Sequence, residues 1–221
     1  MQAIDRNKIK KVLLGRDTDR VDLAIITPIK GAYKKFFELL NGYDSRTDCF
    51  FENALFDTNN GKRGVIVYIP QGRASQDVMF CFDKTHVLFY GYAGGMSDGL
   101  QIGSVLEVVQ AIDQEEIFDL KRISDYENVI GGYAPCMLGN EAEDYQTKAK
   151  EDGCGIIEME IAACSKASEK YNNSLSAFVV VSDIPGKIDF WTLGKEEYSI
   201  FKKKKNELIN YMVDYVKNIK D

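Results

Sequence analysis

The run Val179-Val180-Val181-Ser182-Asp183 constrains this chain more than any other segment. A short, uninterrupted apolar stretch closed by two polar residues reads as a buried strand, and Pro185 and Gly186 forbid its continuation. Further strands are read at Asp22–Ile26, Gly64–Ile69 and Val87–Tyr90, with more strand structure over Ile102–Ile112 and Asn128–Gly131. Helical patterns stand between and around them. Tyr33, Phe36, Phe37 and Leu40 follow a loop opened by Thr27-Pro28, and a second helix is read from about Ser75 to Phe82. Gly139–Asp152 reads as a loop and surface helix, and Ile200, Phe201, Leu208, Ile209 and Tyr211 mark a C-terminal helix. Residues 1–20 are charged and irregular, an opening helix or turn. This alternation predicts an α/β fold, a three-layer α/β/α domain with a twisted, mostly parallel central sheet covered on both faces. No repeat, proline-rich linker or low-complexity block divides it, so residues 1–221 are read as one domain.

The second informative stretch is Gly155-Ile-Ile-Glu-Met-Glu-Ile-Ala-Ala163. Ile157, Ile161, Cys164 and Ser168 recur at helical spacing, and Ala162, Ala163 and Ala167 permit close packing, which predicts a helix opening on a carboxylate. On that helix Glu160 lies beside the Ile157–Ile161 face and Glu158 points roughly the other way. Both acids also suit a helix N-terminus on electrostatic grounds alone. Ligands of open α/β sheets bind outside the carboxyl ends of strands, where Asp183 projects. Asp183 is therefore either a site residue or the cap of the turn before Pro185-Gly186.

Composition removes several classes of function. A formal charge of −6 argues against a nucleic-acid surface. The Lys202–Lys205 run sits in the C-terminal helix and reads as its solvated face. There is no secretory signal and no apolar run long enough to span a bilayer. Cysteines 49, 81, 136, 154 and 164 are scattered, without a CxxC pair and with His86 as the sole histidine. No metal site is expected, and reduced thiols point to the cytoplasm. Gly91–Gly95 reads as a glycine-rich turn where backbone can approach a base or an anion. It matches neither the dinucleotide fingerprint nor the phosphate loop, and no cofactor is expected.

Glu158-Met159-Glu160, Ser182-Asp183, Gly91-Tyr-Ala-Gly-Gly-Met96 and Leu100-Gln-Ile-Gly-Ser-Val105 together resemble the nucleoside phosphorylase and nucleosidase superfamily, in order and approximate spacing over most of the chain. The resemblance implies cleavage of the N-ribosyl bond of a purine-like nucleoside. Asp183 would be the general acid delivering a proton to purine N7, and burial would raise its pKa toward that task. Glu160 would accept hydrogen bonds from the ribose hydroxyls and stabilise positive charge at C1′. Met159 would lie under the sugar, Ser182 would address the purine, and Gly94 would admit backbone to the base. Cys136 and Met137, in Gly132-Tyr-Ala-Pro-Cys-Met137, fall on a base-contacting segment; Tyr133 takes the place of its usual aromatic, or the segment is a surface turn.

The acceptor departs from the family pattern. Thr27-Pro28-Ile29-Lys30 stands where phosphorylases carry Asp-Pro-Leu-Arg, so Lys30 with Thr27 would hold phosphate as a point charge without a guanidinium fork. Phe89 or Tyr90 replaces a second phosphate arginine, and Tyr92 a serine. Hydrolytic relatives activate water with a glutamate, and here Lys30, Gly31, Ala32 and Tyr33 supply none. Lys30 tips the expectation toward phosphorolysis, with inorganic phosphate as second substrate. Hydrolysis of a nucleoside, 5′-modified nucleoside or nucleotide, and non-catalytic nucleoside binding, are the alternatives. The resemblance also implies a homo-oligomer.

Overall fold

A computed structural model describes residues 6–16, 21–135 and 140–219. The first half runs α1 (Arg6–Leu14), β1 (Leu23–Thr27), α2 (Lys30–Leu39), β2 (Tyr43–Arg46), β3 (Asn53–Asp57) and β4 (Arg63–Tyr68). A 3-10 segment (Arg73–Cys81) then leads to β5 (His86–Gly95), β6 (Val105–Asp113), β7 (Glu116–Asp119) and β8 (Glu127–Tyr133). The rest is α3 (Asn140–Glu151), β9 (Ile156–Glu158), α4 (Ile161–Lys170), β10 (Ser174–Asp183), a short 3-10 turn (Phe190–Thr192) and α5 (Lys195–Lys217).

The continuous apolar runs form strands because both of their faces find cover. On one face Ile25, Leu88, Phe178 and Val180 pack with Phe36 of α2 and Leu208 and Met212 of α5. On the other, Ile26, Phe89, Val179 and Val181 pack with Leu14 of α1, Met79 of the 3-10 segment and Ile161 of α4. Phe178, Val179, Val180 and Val181 are fully buried, and each such side chain contributes roughly 1.5–3 kcal/mol through removal from water.

The sheet is mixed. Its order is β10-β6-β8-β9-β5-β1-β4-β3-β2, with β7 on the outer side of β6. Because β10 also pairs with β5, strands β10, β6, β8, β9 and β5 close into a five-stranded ring. Five pairings among the described residues are parallel and five are antiparallel, so the expectation of a mostly parallel sheet is corrected. The cause is local: β2, β3 and β4 form an antiparallel meander, and β6 meets β10 antiparallel. The stretch that matters for binding remains parallel, since β4, β1, β5 and β10 are successive parallel neighbours.

Two segments fold differently from their sequence pattern. Gly91–Gly95 is not a turn but the second half of β5, where Gly94 and Gly95 pair with Ile157 and Ile156. Residues 156–158 are a strand instead of the first turn of a helix, held between β5 and β8. The helical spacing is real only from Ile161 onward. Among the described residues, no helix is long and apolar enough to cross a membrane.

Candidate active site

Four parallel strands end on one side of the sheet, and a cavity of about 520 Å³ opens there, within the usual range for small-molecule sites. Each strand supplies part of its wall. Pro28 and Ile29 follow β1, Gln71 follows β4, Tyr92, Ala93 and Gly94 end β5, and Ser182 and Asp183 end β10. Glu158, Met159 and Glu160 enter from the junction of β9 and α4, and Phe190 and Trp191 close the outer side.

Asp183 reaches the cavity through an irregularity in its strand. Val181 pairs with Ala93 and Asp183 with Gly94, so Ser182 is an extra residue in the ladder. A bulge of this kind re-aims the side chain beyond it. The Ser182 hydroxyl donates to Asp183 Oδ1 at 2.6 Å. Gly94 keeps the neighbourhood of Oδ2 open: a β-carbon there would stand 2.9 Å from Pro185 Cγ and 3.1 Å from Asp183 Oδ2. Burial raises the Asp183 pKa above 3.8, opposed by the Ser182 hydroxyl and assisted by Asp189.

The two glutamates are equally buried, each 5% exposed, and do different work. Glu158 is turned inward at the N-terminus of α4. Its Oε2 accepts the N–H groups of Glu160 and Ile161, both at 2.5 Å, and Oε1 accepts that of Ala162 at 3.4 Å. A carboxylate in this place satisfies donors that a helix start leaves open. Glu160 instead accepts the N–H of Gly72 on Oε1 at 2.8 Å. Burial raises both pKa values; the charge of Glu160 adds to the rise at Glu158, while the N–H groups of Gly72 and Met159 oppose it at Glu160.

The other residues singled out in the sequence divide clearly. Met159, Ser182 and Gly94 line the cavity with Glu160 and Asp183. Thr27 and Lys30 do not: Thr27 is fully buried, its hydroxyl accepting the Ile29 N–H at 3.2 Å. Lys30 ion-pairs with Glu52 and lies over the rings of Tyr33 and Tyr68. Cys136 and Met137 lie outside the described residues. Tyr133 packs under the Arg73 guanidinium and donates no wall to this cavity. His86 is held neutral, its pKa lowered to about 4 by burial and then by Lys121.

Sequence reasoning missed Gln71, Gly72, Asp189, Phe190 and Trp191 at or beside the site. A signal existed for the first two, since Pro70-Gln71-Gly72 directly follows an apolar strand, where the strand-end rule places ligands. No described Lys, Arg or His lines the cavity. Among the described residues no group of three or more His, Cys, Asp or Glu could hold a metal ion.

No family model matches the chain, and no curated protein matches it by sequence. Solved structures do match in three dimensions. A 5′-methylthioadenosine/S-adenosylhomocysteine nucleosidase from Campylobacter jejuni superposes with a TM-score of 0.73 at 14% identity, over 90% of this chain and 100% of that one. The corresponding enzyme from Neisseria meningitidis, in complex with methylthio-immucillin-A, gives 0.70 at 16% identity, over 89% and 99%. A futalosine hydrolase mutant from Helicobacter pylori gives 0.69 at 13% identity, over 90% and 100%. These superpositions give the chain the fold of the 5′-methylthioadenosine/S-adenosylhomocysteine nucleosidases and of futalosine hydrolase.

Proposed function

We propose that the protein cleaves the N-ribosyl bond of a purine-like nucleoside with water as acceptor. The observation that carries this reading is the meeting of Glu160 and Asp183 in one strand-end cavity whose described lining holds no cation. Breaking the bond leaves an electron pair on the base and a deficit at C1′. Asp183, whose carboxyl burial pushes above its ordinary pKa, delivers a proton to N7 as the pair arrives. Glu160 accepts hydrogen bonds from the ribose hydroxyls, and its charge stabilises the oxocarbenium-like sugar. Met159 packs under the ribose, Ser182 orients Asp183, and Gly94 leaves room for the Asp183 carboxyl. Water adds to C1′, and the proton it loses replaces the one Asp183 gave to the base, so the products are free base and free ribose.

Water is favoured over phosphate on electrostatic grounds. Glu160, whose charge the reaction uses, and Asp189 both line the cavity, and an anionic acceptor would meet them without a compensating cation. Lys30, the one cation the sequence offers for that task, is engaged by Glu52. The solved relatives named as nucleosidase and hydrolase point the same way.

The test is a panel of purine, pyrimidine and 5′-modified nucleosides in phosphate-free buffer. Equimolar base and reducing sugar, unchanged on adding phosphate, supports hydrolysis. Turnover that requires phosphate and yields ribose 1-phosphate overturns it, and nucleoside binding without base release across the panel overturns catalysis altogether.

A further inference from the structure

Gly72 occupies a backbone conformation that the fold must have a reason to keep. Its φ of 76° and ψ of −163° fall in a region essentially reserved for glycine. Crowding is not that reason, because a β-carbon built on Gly72 would meet only Met159 Cε at 3.9 Å. What the conformation does achieve is direction: it turns the Gly72 N–H onto Glu160 Oε1, across 88 residues of chain, at 2.8 Å. The same glutamate is fixed from behind, where its own N–H is taken by Glu158 at 2.5 Å. Glu160 is thus held at its own N–H by Glu158 and at Oε1 by Gly72, with the Met159 N–H also acting on its carboxylate. Both anchors are buried, so neither bond competes with water.

We propose, building on the nucleosidase reading above, that Gly72 is a positioning residue that holds Oε1 of Glu160 and leaves Oε2 aimed at the ribose hydroxyls, so that Gly72 sets the preference for ribose over 2′-deoxyribose. The neighbouring residue fits this role, since Gln71 lines the cavity while Gly72 faces the glutamate. An unheld Glu160 would rotate about its side-chain bonds and would have to be ordered at each binding event. A held one is already in place when substrate arrives.

The titratable groups around Glu160 are Glu158 at the end of β9 and Cys164 on α4, with Asp183 on the same cavity wall from β10. Alanine keeps a backbone N–H but holds the Gly72 conformation only under strain, and turning that N–H away from Glu160 takes away an interaction that favours its charged form, so its titration must move upward.

The decisive variant is Gly72→Ala, which fits in space and is strained only in conformation. Gly61→Ala is its control: Gly61 has φ of 79° and no atom within 4 Å of the added carbon, and it lies in the β3–β4 turn away from the cavity. For Gly72→Ala, kcat/KM on a ribonucleoside should fall at least ~10-fold while the 2′-deoxynucleoside loses less, as expected for a buried hydrogen bond to a charged group. Gly61→Ala should lose melting temperature without changing the ribose preference. In parallel, the Glu160 carboxyl followed by carbon NMR in the ligand-free protein should titrate higher in Gly72→Ala than in wild type. Equal losses on both substrates, or an unmoved carboxyl titration, overturns the proposal. A wild-type protein that releases no base sinks the nucleosidase reading instead, and the carboxyl titration then decides the Gly72 contact alone.

Discussion

Asp183 and Glu160 face one cavity from different surroundings, and the roles proposed for them rest on that difference. Asp183 has a single described hydrogen-bond donor, the Ser182 hydroxyl, with Asp189 nearby to discourage ionisation. It is suited to hold a proton and release it. Asp183→Asn should lower kcat at least ~100-fold, the lower end for general acid catalysis, with little change in substrate affinity; a kcat near wild type would make Asp183 a turn residue. Lys30 gives the opposite expectation. Its ion pair with Glu52 is 41% exposed on the lysine side, so Lys30→Ala should cost no more than ~1 kcal/mol of stability. Base release should stay near the wild-type rate with and without phosphate. A several-fold rise in a phosphate KM would restore Lys30 as an acceptor ligand.

At the scale of elements, what was legible depended on whether local pattern or tertiary pairing decides the backbone. The apolar runs of β1, β4 and β10 announced themselves, because strands buried on both faces must be apolar throughout. Gly91–Gly95 did not, since glycines signal a turn unless a neighbouring strand accepts them. Here Ile157 and Ile156 do, pairing with Gly94 and Gly95, while Pro185 and Ile157 beside Gly94, and Ile184 and Val181 beside Gly95, take the space the glycine side chains leave. The same pairing turned the start of an apparent helix into β9 and brought Glu158, expected to point away, to the same burial as Glu160. The carboxylates that line the cavity were readable, whereas Gly72 was marked only by its place after an apolar strand, because its contact with Glu160 joins residues 88 positions apart. Strand β5 yields a test of this packing. Gly94→Ala places a carbon 2.9 Å from Pro185 Cγ and 3.1 Å from both Asp183 Oδ2 and Ile157 Cγ2, so the acid must move. Misplacing a catalytic group by about 1 Å can cost ~100-fold, so kcat should fall by at least ~10-fold. Crystallography of the variant should show Asp183 displaced, and full activity with an undisturbed carboxyl would refute the close-packing account.

Over the whole molecule, three buried carboxylates on one cavity make folding depend on pH in a direction opposite to ordinary acid denaturation. Burial raises the pKa values of Glu158, Glu160 and Asp183 above their ordinary 4.5 and 3.8. The folded protein therefore binds protons that the unfolded chain has already released, and the stability this contributes is present at low pH and lost as pH rises through the folded values. His86 works against this below 6.5, because its pKa is lowered to about 4 and the unfolded chain takes the proton first. Buried Cys154 and Cys164 add their own pH dependence only toward and above the ordinary thiol value of 9.0. The window between 6.5 and 9.0 thus isolates Glu158, whose pKa burial and the neighbouring Glu160 raise to about 8, with a slope of about 1.4 kcal/mol per pH unit for each whole proton of difference. Thermal unfolding across that window should show melting temperature declining as pH rises. Glu158→Gln preserves shape and removes the charge whose burial, next to Glu160, is the larger part of the strain, so the decline should flatten and Glu160 should titrate lower. A melting temperature that rises with pH over the same window, or a slope that Glu158→Gln leaves unchanged, would mean that the N–H groups at the start of α4 fully offset the cost of burying the pair.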